Sequence, residues 1–214
     1  FIMAARKGDR SDFQRAANLI LSANPLGGIC GAVCPDSFCV QACARRTFDQ
    51  PIQIPAVQAA IIARSKQAHA ADFPANPPVE KSIAVIGAGP AGLAAAALLA
   101  QKGYRVSVYE KSSTAGGMCR LIPDFRLDKR IMRRDIETLR RMGCIVFRFR
   151  RNIEDPRSLL SDHAAVVVAV GLDQPIPLSV PGEEKAVSWV DCLSGARNQY
   201  YRGKRMAIVG GGAI

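Results

Sequence analysis

The sequence predicts an α-helical domain followed by an α/β domain with a parallel sheet, and three observations predict it. Two helical patterns flank a cluster of cysteines within residues 1–72. A Pro-rich linker, 73–80, leads into a strand–glycine–helix–strand pattern, which is typical of a βαβ unit. The last segment, 201–214, again shows a strand that runs into glycines. We therefore expect an incomplete nucleotide-binding domain at 81–200 and the first strand and turn of a second one after it.

The first domain is predicted to be helical on both sides of the cysteines. Apolar residues recur at helical spacing within 1–29, and the segment SANPLGG then ends the pattern with proline and paired glycines. A second helix is predicted over 55–71, with Pro55 in its first turn. These two helices would provide the packing surface for the cysteine segment between them.

Four cysteines, Cys30, Cys34, Cys39 and Cys43, follow the first helix in a C-x3-C-x4-C-x3-C pattern. Each pair spaced by four residues can share a helix face. The chain has seven cysteines and no secretion signal, which favours metal binding over disulfides. Four thiolates would satisfy tetrahedral zinc, although zinc sites prefer C-x2-C pairs. The spacing also differs from the bacterial ferredoxin run, so the residues alone leave zinc and iron–sulfur open.

The second domain begins with a dinucleotide-binding pattern. Gly87, Gly89 and Gly92 form G-x-G-x-x-G between a strand and an Ala/Leu helix, and Glu110 ends the next strand. This context indicates a Rossmann-like site, because the glycines allow a tight turn, a close pyrophosphate and close helix packing. Glu110 is placed to accept hydrogen bonds from the adenosine ribose. The alternative is a structural glycine turn in an α/β fold without a ligand, and the motif alone does not choose between FAD and NAD.

The remaining elements continue the α/β pattern. Residues 128–143 predict an amphipathic helix, and CIVFRF after it predicts a strand. A further buried strand is expected at 164–171. The segment from Lys204 to Gly212 opens the second glycine motif.

The positive charge of the chain is concentrated in one region. The formal net charge is +11, and many of the basic residues lie between Arg126 and Arg151. Nucleic-acid binding is not predicted, because aromatic residues make up only 6% and no binding motif accompanies the charge. We interpret the region as a solvated helix face. The alternative is a docking face for an acidic protein or a phosphorylated cofactor.

The sequence also bears on location. No stretch approaches the roughly 18 uninterrupted apolar residues of a membrane span, and the N-terminal residues lack the layout of a signal peptide. We expect no membrane span and a cytoplasmic location. The first residue is Phe1 rather than Met, so we expect the chain to begin inside a longer protein.

Two stretches together resemble one family. NPLGGICGAVCPDSFCVQAC and, after the linker, AVIGAGPAGL, EKSSTAGG and IPDFRL are similar to the glutamate synthase small subunit and the N-terminal half of dihydropyrimidine dehydrogenase. The resemblance covers nearly the whole chain. It implies an α-helical Fe–S domain, an α/β Rossmann-like FAD-binding domain and the start of a second Rossmann domain for NAD(P). Leu121 departs from the glutamate synthase small subunit, which has glycine there.

The resemblance implies an electron-transfer oxidoreductase subunit. It would pass electrons between NAD(P)H, FAD and [4Fe–4S] clusters, to or from a catalytic partner subunit or ferredoxin. The cofactors would carry the chemistry, so no catalytic residue is expected. The alternative is a non-enzymatic scaffold or adaptor, stapled by zinc and carrying a vestigial nucleotide fold.

The resemblance also implies which residues bind the cofactors. Cys34 and Cys39 would serve one cluster and Cys43 another, with the other ligands supplied from upstream, while Cys30 and Gln58 match less certain positions. The expected dinucleotide contacts are Gly87, Gly89, Pro90, Ala91, Gly92, Glu110, Lys111, Gly116, Gly117, Met118, Arg126, Ile153 and Gly171. On this interpretation the chain holds at most part of two cluster sites.

Overall fold

Two units make up the chain, Phe1–Gly171 and Leu172–Ile214. The computed structural model describes residues 1–65, 76–172, 177, 179–195 and 201–210. The boundary at Gly171 falls inside the nucleotide-binding domain predicted at 81–200. The cysteine segment and the first glycine motif both belong to the first unit.

Four helices form the N-terminal part of the first unit. They are α1 (Arg10–Ala23), α2 (Gly27–Val33), α3 (Ser37–Ala42) and α4 (Ile54–Arg64), with short 3-10 turns at Met3–Ala5 and Ala44–Thr47. Helices α1 and α4 pack through a core of Ala16, Ala17, Ile20, Leu21, Ile61 and Ile62. No single described helix is long and apolar enough to span a membrane, and only α1 and α2 taken together, bent by 91°, meet that test.

The helix predicted over 1–29 is wrong as a single element. Helix α1 starts late because Asp9 caps it, its Oδ1 accepting a hydrogen bond from the amide of Asp12 at 2.7 Å. It ends before Asn24, whose backbone is extended. Pro25 follows, and the residue before a proline disfavours the helical conformation. The second predicted helix is present as α4, and residues 66–71 of that prediction lie outside the described residues.

A parallel sheet forms the centre of the first unit, as predicted. Its strands are β1 (Ser82–Ile86), β2 (Arg105–Glu110), β3 (Ile145–Phe149) and β4 (Ala165–Val168), in the order β3-β2-β1-β4. The crossover helices α5 (Pro90–Gln101) and α6 (Lys129–Arg140) follow β1 and β2. Strands β1 and β2 pair in register from Ser82 with Arg105 to Ile86 with Tyr109. Their carboxyl ends therefore share one edge of the sheet.

The cysteine-bearing helix α2 shares a hydrophobic core with the sheet. Leu26 and Ile29 are buried in the same cluster as Val85 of β1, Leu93 of α5 and Leu139 of α6. Burial of apolar surface contributes roughly 25 cal/mol per Å², so this common core fixes α2 against the sheet part of the unit. The two regions predicted as separate domains are thus packed together.

The second unit is described in part. It contains a 3-10 turn at Glu183–Lys185 and a short helix, α7 (Trp189–Leu193), capped by the Ser188 hydroxyl. Residues 204–210 have no regular secondary structure. The strand predicted there is therefore not formed, since a strand needs a neighbour for its hydrogen bonds and the described part of this unit contains no other strand. Gly212 of the predicted motif lies outside the described residues.

Candidate functional site

The loop after β1 can be built only with glycine at two positions. Gly87 has φ of +101°, and a Cβ there would lie 2.3 Å from the carbonyl oxygen of Ala169. A Cβ on Gly92 would lie 1.9 Å from the carbonyl oxygen of Gly87. Both contacts are with backbone, which cannot move aside without disturbing the sheet edge. Gly87 therefore makes the turn, and Gly92 lets α5 pack against it.

Gly89 has a different environment. It caps α5 with an extended backbone, and the nearest atom to a Cβ placed on it would be the Cα of Gly117 at 3.8 Å. The surface over Gly89 is open, so a ligand can approach the backbone there. Pro90 and Ala91 continue into the first turn of α5 and are exposed. The free amides of this turn and the positive end of the helix dipole suit a phosphate group.

A second glycine pair, Gly116 and Gly117, lies against this loop. The amide of Gly116 donates to the carbonyl oxygen of Ala88 at 2.8 Å. Gly117 has φ of +49°, and a Cβ there would lie 2.7 Å from the Cα of Gly89. Met118 follows, half-buried, in the 3-10 turn Gly117–Leu121. Two segments far apart in sequence therefore meet without side chains between them.

Glu110 joins the glycine loop to the end of β2. Its carboxylate is buried, with 8% of the residue exposed. One oxygen accepts from the amide of Ala88 and the other from the amide of Ser112, both at 2.8 Å. Each carboxylate oxygen keeps a further lone pair for a ribose hydroxyl. Sequence reasoning predicted the ribose contact but missed that Glu110 also holds the loop in place.

These groups fit the adenosine diphosphate part of a dinucleotide. The loop offers a half-buried backbone without a side chain at Gly89, the amides of a helix start and a fixed carboxylate at Glu110. Those are the recognition elements of a Rossmann-like site. No side chain from Gly89 or Gly117 fills the space that a pyrophosphate would take.

The other predicted dinucleotide contacts are more dispersed. Lys111 and Arg126 are exposed, and Gly171 is exposed with φ of +79°. Ile153 packs with Ala84, Ile86 and Leu159. Because neighbouring residues of β1 point to opposite faces, this cluster lies on the face of the sheet opposite the core of α5 and α6. The cofactor roles of these four residues stay predictions.

Two of the cysteines lie within short helices and two follow the ends of those helices. Cys30 is in α2 and Cys34 follows its end; Cys39 is in α3 and Cys43 follows its end. Cys34 is exposed and the other three are half-buried. Hydrogen bonding from the amide of Ile52, reinforced by the nearby Arg45, lowers the pKa of the Cys43 thiol. A lowered pKa favours the thiolate, which is the form that binds metal.

The described residues do not gather these thiols into a closed site. Within 1–65 and the other described ranges, no group of three cysteine, histidine, aspartate or glutamate side chains is close enough to hold a metal ion. The thiols have the donor chemistry of an iron–sulfur ligand, but the described set does not close a cluster site by itself. The same described residues do not bring four thiolates together as a tetrahedral zinc site, which the zinc-stapled alternative requires.

Gln58 connects two helices. Its side-chain Nε2 donates to the carbonyl oxygen of Gly27 at 2.7 Å, which ties α4 to the start of α2. This contact uses the amide nitrogen and leaves the side-chain oxygen for other partners. A ligand role for Gln58 stays a prediction.

Cys119 follows the second glycine pair, and the sequence favours a buried free thiol there that could also lie near a flavin. It lies in the turn after Gly116 and Gly117 and is half-buried. Burial, followed by the nearby Cys30, raises the pKa of its thiol. Cys119 and Cys30 both pack against the same hydrophobic core, which no local sequence pattern could show.

Comparisons with known proteins agree with this arrangement. Residues 1–70 match the family described as dihydropyrimidine dehydrogenase domain II, 4Fe-4S cluster. Residues 85–138 match the NAD(P)-binding Rossmann-like domain. The first match covers the cysteine segment, and the second covers the glycine loop and most of α6.

Whole-chain relatives share both regions. The chain is 31% identical over 211 residues to the NAD-dependent dihydropyrimidine dehydrogenase subunit PreT of Escherichia coli strain K12, with 95% of this chain covered. The chain is thus similar over nearly its whole length to a subunit of a dihydropyrimidine dehydrogenase, and it matches a 4Fe-4S family and an NAD(P)-binding Rossmann-like family over two separate ranges.

Two further relatives also match most of this chain. The chain is 31% identical over 221 residues to the NADPH-Fe(3+) oxidoreductase subunit beta of Geobacter sulfurreducens, and covers 32% of it. It is 30% identical over 223 residues to the NADH glutamate synthase of Saccharomyces cerevisiae, and covers 10% of it. The chain spans about half of the Escherichia coli relative, 51% of its length. These relatives are NAD(P)-dependent oxidoreductases or their subunits, by name.

Proposed function

We propose that this chain is the N-terminal part of an NAD(P)H-dependent FAD and iron–sulfur oxidoreductase that exchanges electrons with a partner. The observation that carries the proposal is that one folded unit holds both the glycine loop and the cysteine helix. Their side chains share a core, so the two candidate cofactor sites are neighbours with a fixed relation. The family supplies the cofactors that suit each of them.

The dinucleotide at the first glycine motif is proposed to be FAD. The matched family is described as NAD(P)-binding, but the adenosine diphosphate part is common to both dinucleotides, and the loop residues recognise that part. Support for FAD comes from the segment around Gly116 and Gly117, which resembles flavoproteins that bind two dinucleotides. The structure packs this segment on Gly89. NAD(P)H would then bind a second domain, whose first strand and glycine turn are proposed at 201–214.

When bound, the flavin would supply the step between two-electron hydride chemistry and one-electron transfer, and the clusters would carry single electrons. The protein's part in this reaction is positioning. The amides of the first turn of α5 would hold the pyrophosphate and Glu110 the ribose. The absence of a side chain at Gly89 would allow close approach to its backbone. No side chain of the described residues is required to move a proton.

Cys34, Cys39 and Cys43 are proposed as cluster ligands, with Cys30 and Gln58 as neighbours of the same sites. Cys34 and Cys43 follow the ends of α2 and α3, Cys39 lies within α3, and all three are at least partly exposed to a cluster that other donors would complete. The lowered pKa of Cys43 supports its role, because the ligand must be a thiolate. The partner, whether a catalytic subunit or a ferredoxin, and a cytoplasmic location are part of the same proposal.

An anaerobic reduction experiment tests the proposal. The complete protein, purified without oxygen, is mixed with NADH or NADPH while the flavin absorbance is followed, and samples are frozen for electron paramagnetic resonance. We expect one of the two nucleotides to bleach the flavin, followed by the signal of a reduced cluster. Protein that contains flavin but is not bleached by either nucleotide would contradict the proposal.

A further inference from the structure

Helix α6 contacts both candidate cofactor sites. Near its start, Met132 lies beside the second glycine pair, since a Cβ on Gly116 would be 3.0 Å from the Met132 sulfur. One turn later, Asp135 reaches the first turn of the cysteine helix α2, with its Oδ2 accepting from the amide of Ile29 at 2.8 Å. The two contacts are three residues apart on one helix. Helix α6 is therefore a direct structural link between the glycine loops and α2.

Asp135 is buried where α6 contacts the start of α2. The residue is 2% exposed, and the amides of Gly28 and Ile29 both interact with its carboxylate. The first amides of any helix lack partners within the helix, and they carry the positive end of its dipole. Asp135 therefore supplies from another part of the chain, 106 residues away, the cap that the N-cap residue Leu26 lacks.

The contact also requires a glycine. A Cβ on Gly28 would lie 2.6 Å from Oδ1 of Asp135 and 3.0 Å from a methyl carbon of Ile131. Both neighbours belong to α6. Only glycine at position 28 lets α2 approach this closely, so the pair Gly28 and Asp135 sets the distance between the two helices.

Arg134, next to Asp135 on α6, binds the end of a second helix of the cysteine region. The guanidinium of Arg134 donates to the carbonyl oxygen of Ser65, at the end of α4. A cation at a helix end with free carbonyls is favourable, as an anion is at a helix start. Adjacent residues of α6 thus hold the start of α2 and the end of α4. Gln58 on α4 binds α2 in turn, which closes the arrangement.

A buried carboxylate is a poor choice for stability alone. Burial raises the pKa of Asp135 to about 6, which shows that the charge is costly in this position. Well-packed neutral side chains often replace buried charges without loss of stability. The carboxylate instead fixes the orientation of two amides at the start of a short helix that carries the candidate ligand Cys30 within it and Cys34 at its end.

We infer that Asp135 is a positioning residue that sets the placement of the cysteine helix α2 relative to the flavin loop. It acts through the amides of Gly28 and Ile29, and touches neither cofactor site itself. The inference rests on the proposed function for its consequence in electron transfer. The placement of α2 can be measured whether or not the proposed function is correct.

The test uses the complete protein with its cofactors and the variant Asp135→Asn. Asparagine keeps the shape and removes the costly charge, so the fold should be retained. Glu137→Gln is the matched control, because Glu137 lies on the same helix in an exposed ion pair with Arg141. Amide hydrogen exchange is measured across α2. The electron paramagnetic resonance spectrum and the midpoint potential of the cluster are measured on the same proteins.

We expect exchange at Gly28 and Ile29 to be roughly tenfold faster in Asp135→Asn, the change expected when a charged hydrogen bond is lost. Electron transfer from reduced flavin to the cluster should fall by about tenfold or more, as for other residues that orient a ligand. Bleaching of the flavin by the nucleotide should be unchanged. Glu137→Gln should match the unsubstituted protein in every measurement.

A second variant keeps the inference testable if Asp135→Asn does not fold. Gly28→Ala retains the charge but pushes the carboxylate aside, and it should also speed exchange in α2 and shift the cluster spectrum. Unchanged exchange in α2 in a folded variant would overturn the inference. So would an equal loss of flavin bleaching and cluster reduction, which indicates general damage to the fold. Absence of iron in the unsubstituted protein refutes the proposed function instead, and the exchange measurement still decides the role of Asp135.

Discussion

At the scale of single residues, the three glycines of the first motif do two kinds of work. Gly87 and Gly92 are required by backbone contacts within the protein, at 2.3 and 1.9 Å from a notional Cβ. Gly89 has space around it, and its backbone angles are accessible to other residues. The motif therefore combines two structural glycines with one that we propose as a ligand contact.

This division predicts different outcomes for two alanine substitutions. Gly92→Ala should destabilise the fold by about 3 kcal/mol or more, because the new Cβ overlaps a carbonyl oxygen. Gly89→Ala should fold with nearly unchanged stability and retain little flavin, because its methyl group occupies the space of the pyrophosphate. Thermal unfolding and flavin content of the two proteins, measured side by side, check this. Equal flavin retention in Gly89→Ala would contradict the assignment.

Glu110 is predicted to have both a structural and a binding role. Glu110→Gln replaces one acceptor by a donor that faces a backbone amide, so we expect a loss of about 1–3 kcal/mol in the free energy of unfolding. Dinucleotide affinity should fall as well. Denaturant unfolding and flavin titration are the measurements, with Glu137→Gln as an exposed control expected to change stability by less than about 1 kcal/mol. A stable variant with weak binding would leave the ribose contact alone as its role.

At the scale of elements, the contact between α6 and α2 should respond to pH. The pKa of Asp135 is raised from 3.8 to about 6 by burial, so the folded protein holds this proton more tightly than the unfolded chain does. The stability due to this group is therefore complete below about pH 4 and is lost as the pH rises through about 6. The full change corresponds to roughly 3 kcal/mol.

The variant Asp135→Asn isolates this contribution. Between about pH 5 and pH 8, the unsubstituted protein should lose roughly 1 kcal/mol of unfolding free energy relative to the variant. Denaturant unfolding of both proteins at the two pH values measures the difference. A difference that is constant, or that grows in favour of the unsubstituted protein at high pH, would show that the pKa is not raised.

At the scale of the whole molecule, patterns that act over short distances predicted most of the fold. The strands, α5 and α6 follow local periodicity, and the glycine motif is a contiguous signal. The break after α1 was missed, although Asp9 and Pro25 provide the reasons for its ends. The contacts of Asp135 with α2 could not be predicted, because they join residues about a hundred positions apart. The basic stretch from Arg126 to Arg151 also contains Asp135, a buried acid that the charge pattern does not reveal.

The same limit applies to the candidate cluster sites. The cysteine spacing indicated metal but left its kind open, and the described residues show thiols at two helix ends without a closed site. Family membership, with its 4Fe-4S description over 1–70, resolves the choice in favour of iron–sulfur. The ligand assignment of each cysteine depends on tertiary placement of donors that local spacing does not specify.

The central claim is that one unit brings a flavin site and iron–sulfur ligands together. Its most direct test is the cofactor content of the complete protein purified anaerobically, measured as flavin, iron and acid-labile sulfide per chain. We expect flavin near one per chain, together with iron and sulfide in equal amounts. When Cys34, Cys39 and Cys43 are changed to serine, we expect the protein to lose iron and keep its flavin. Zinc in place of iron, or a protein without flavin, would contradict it.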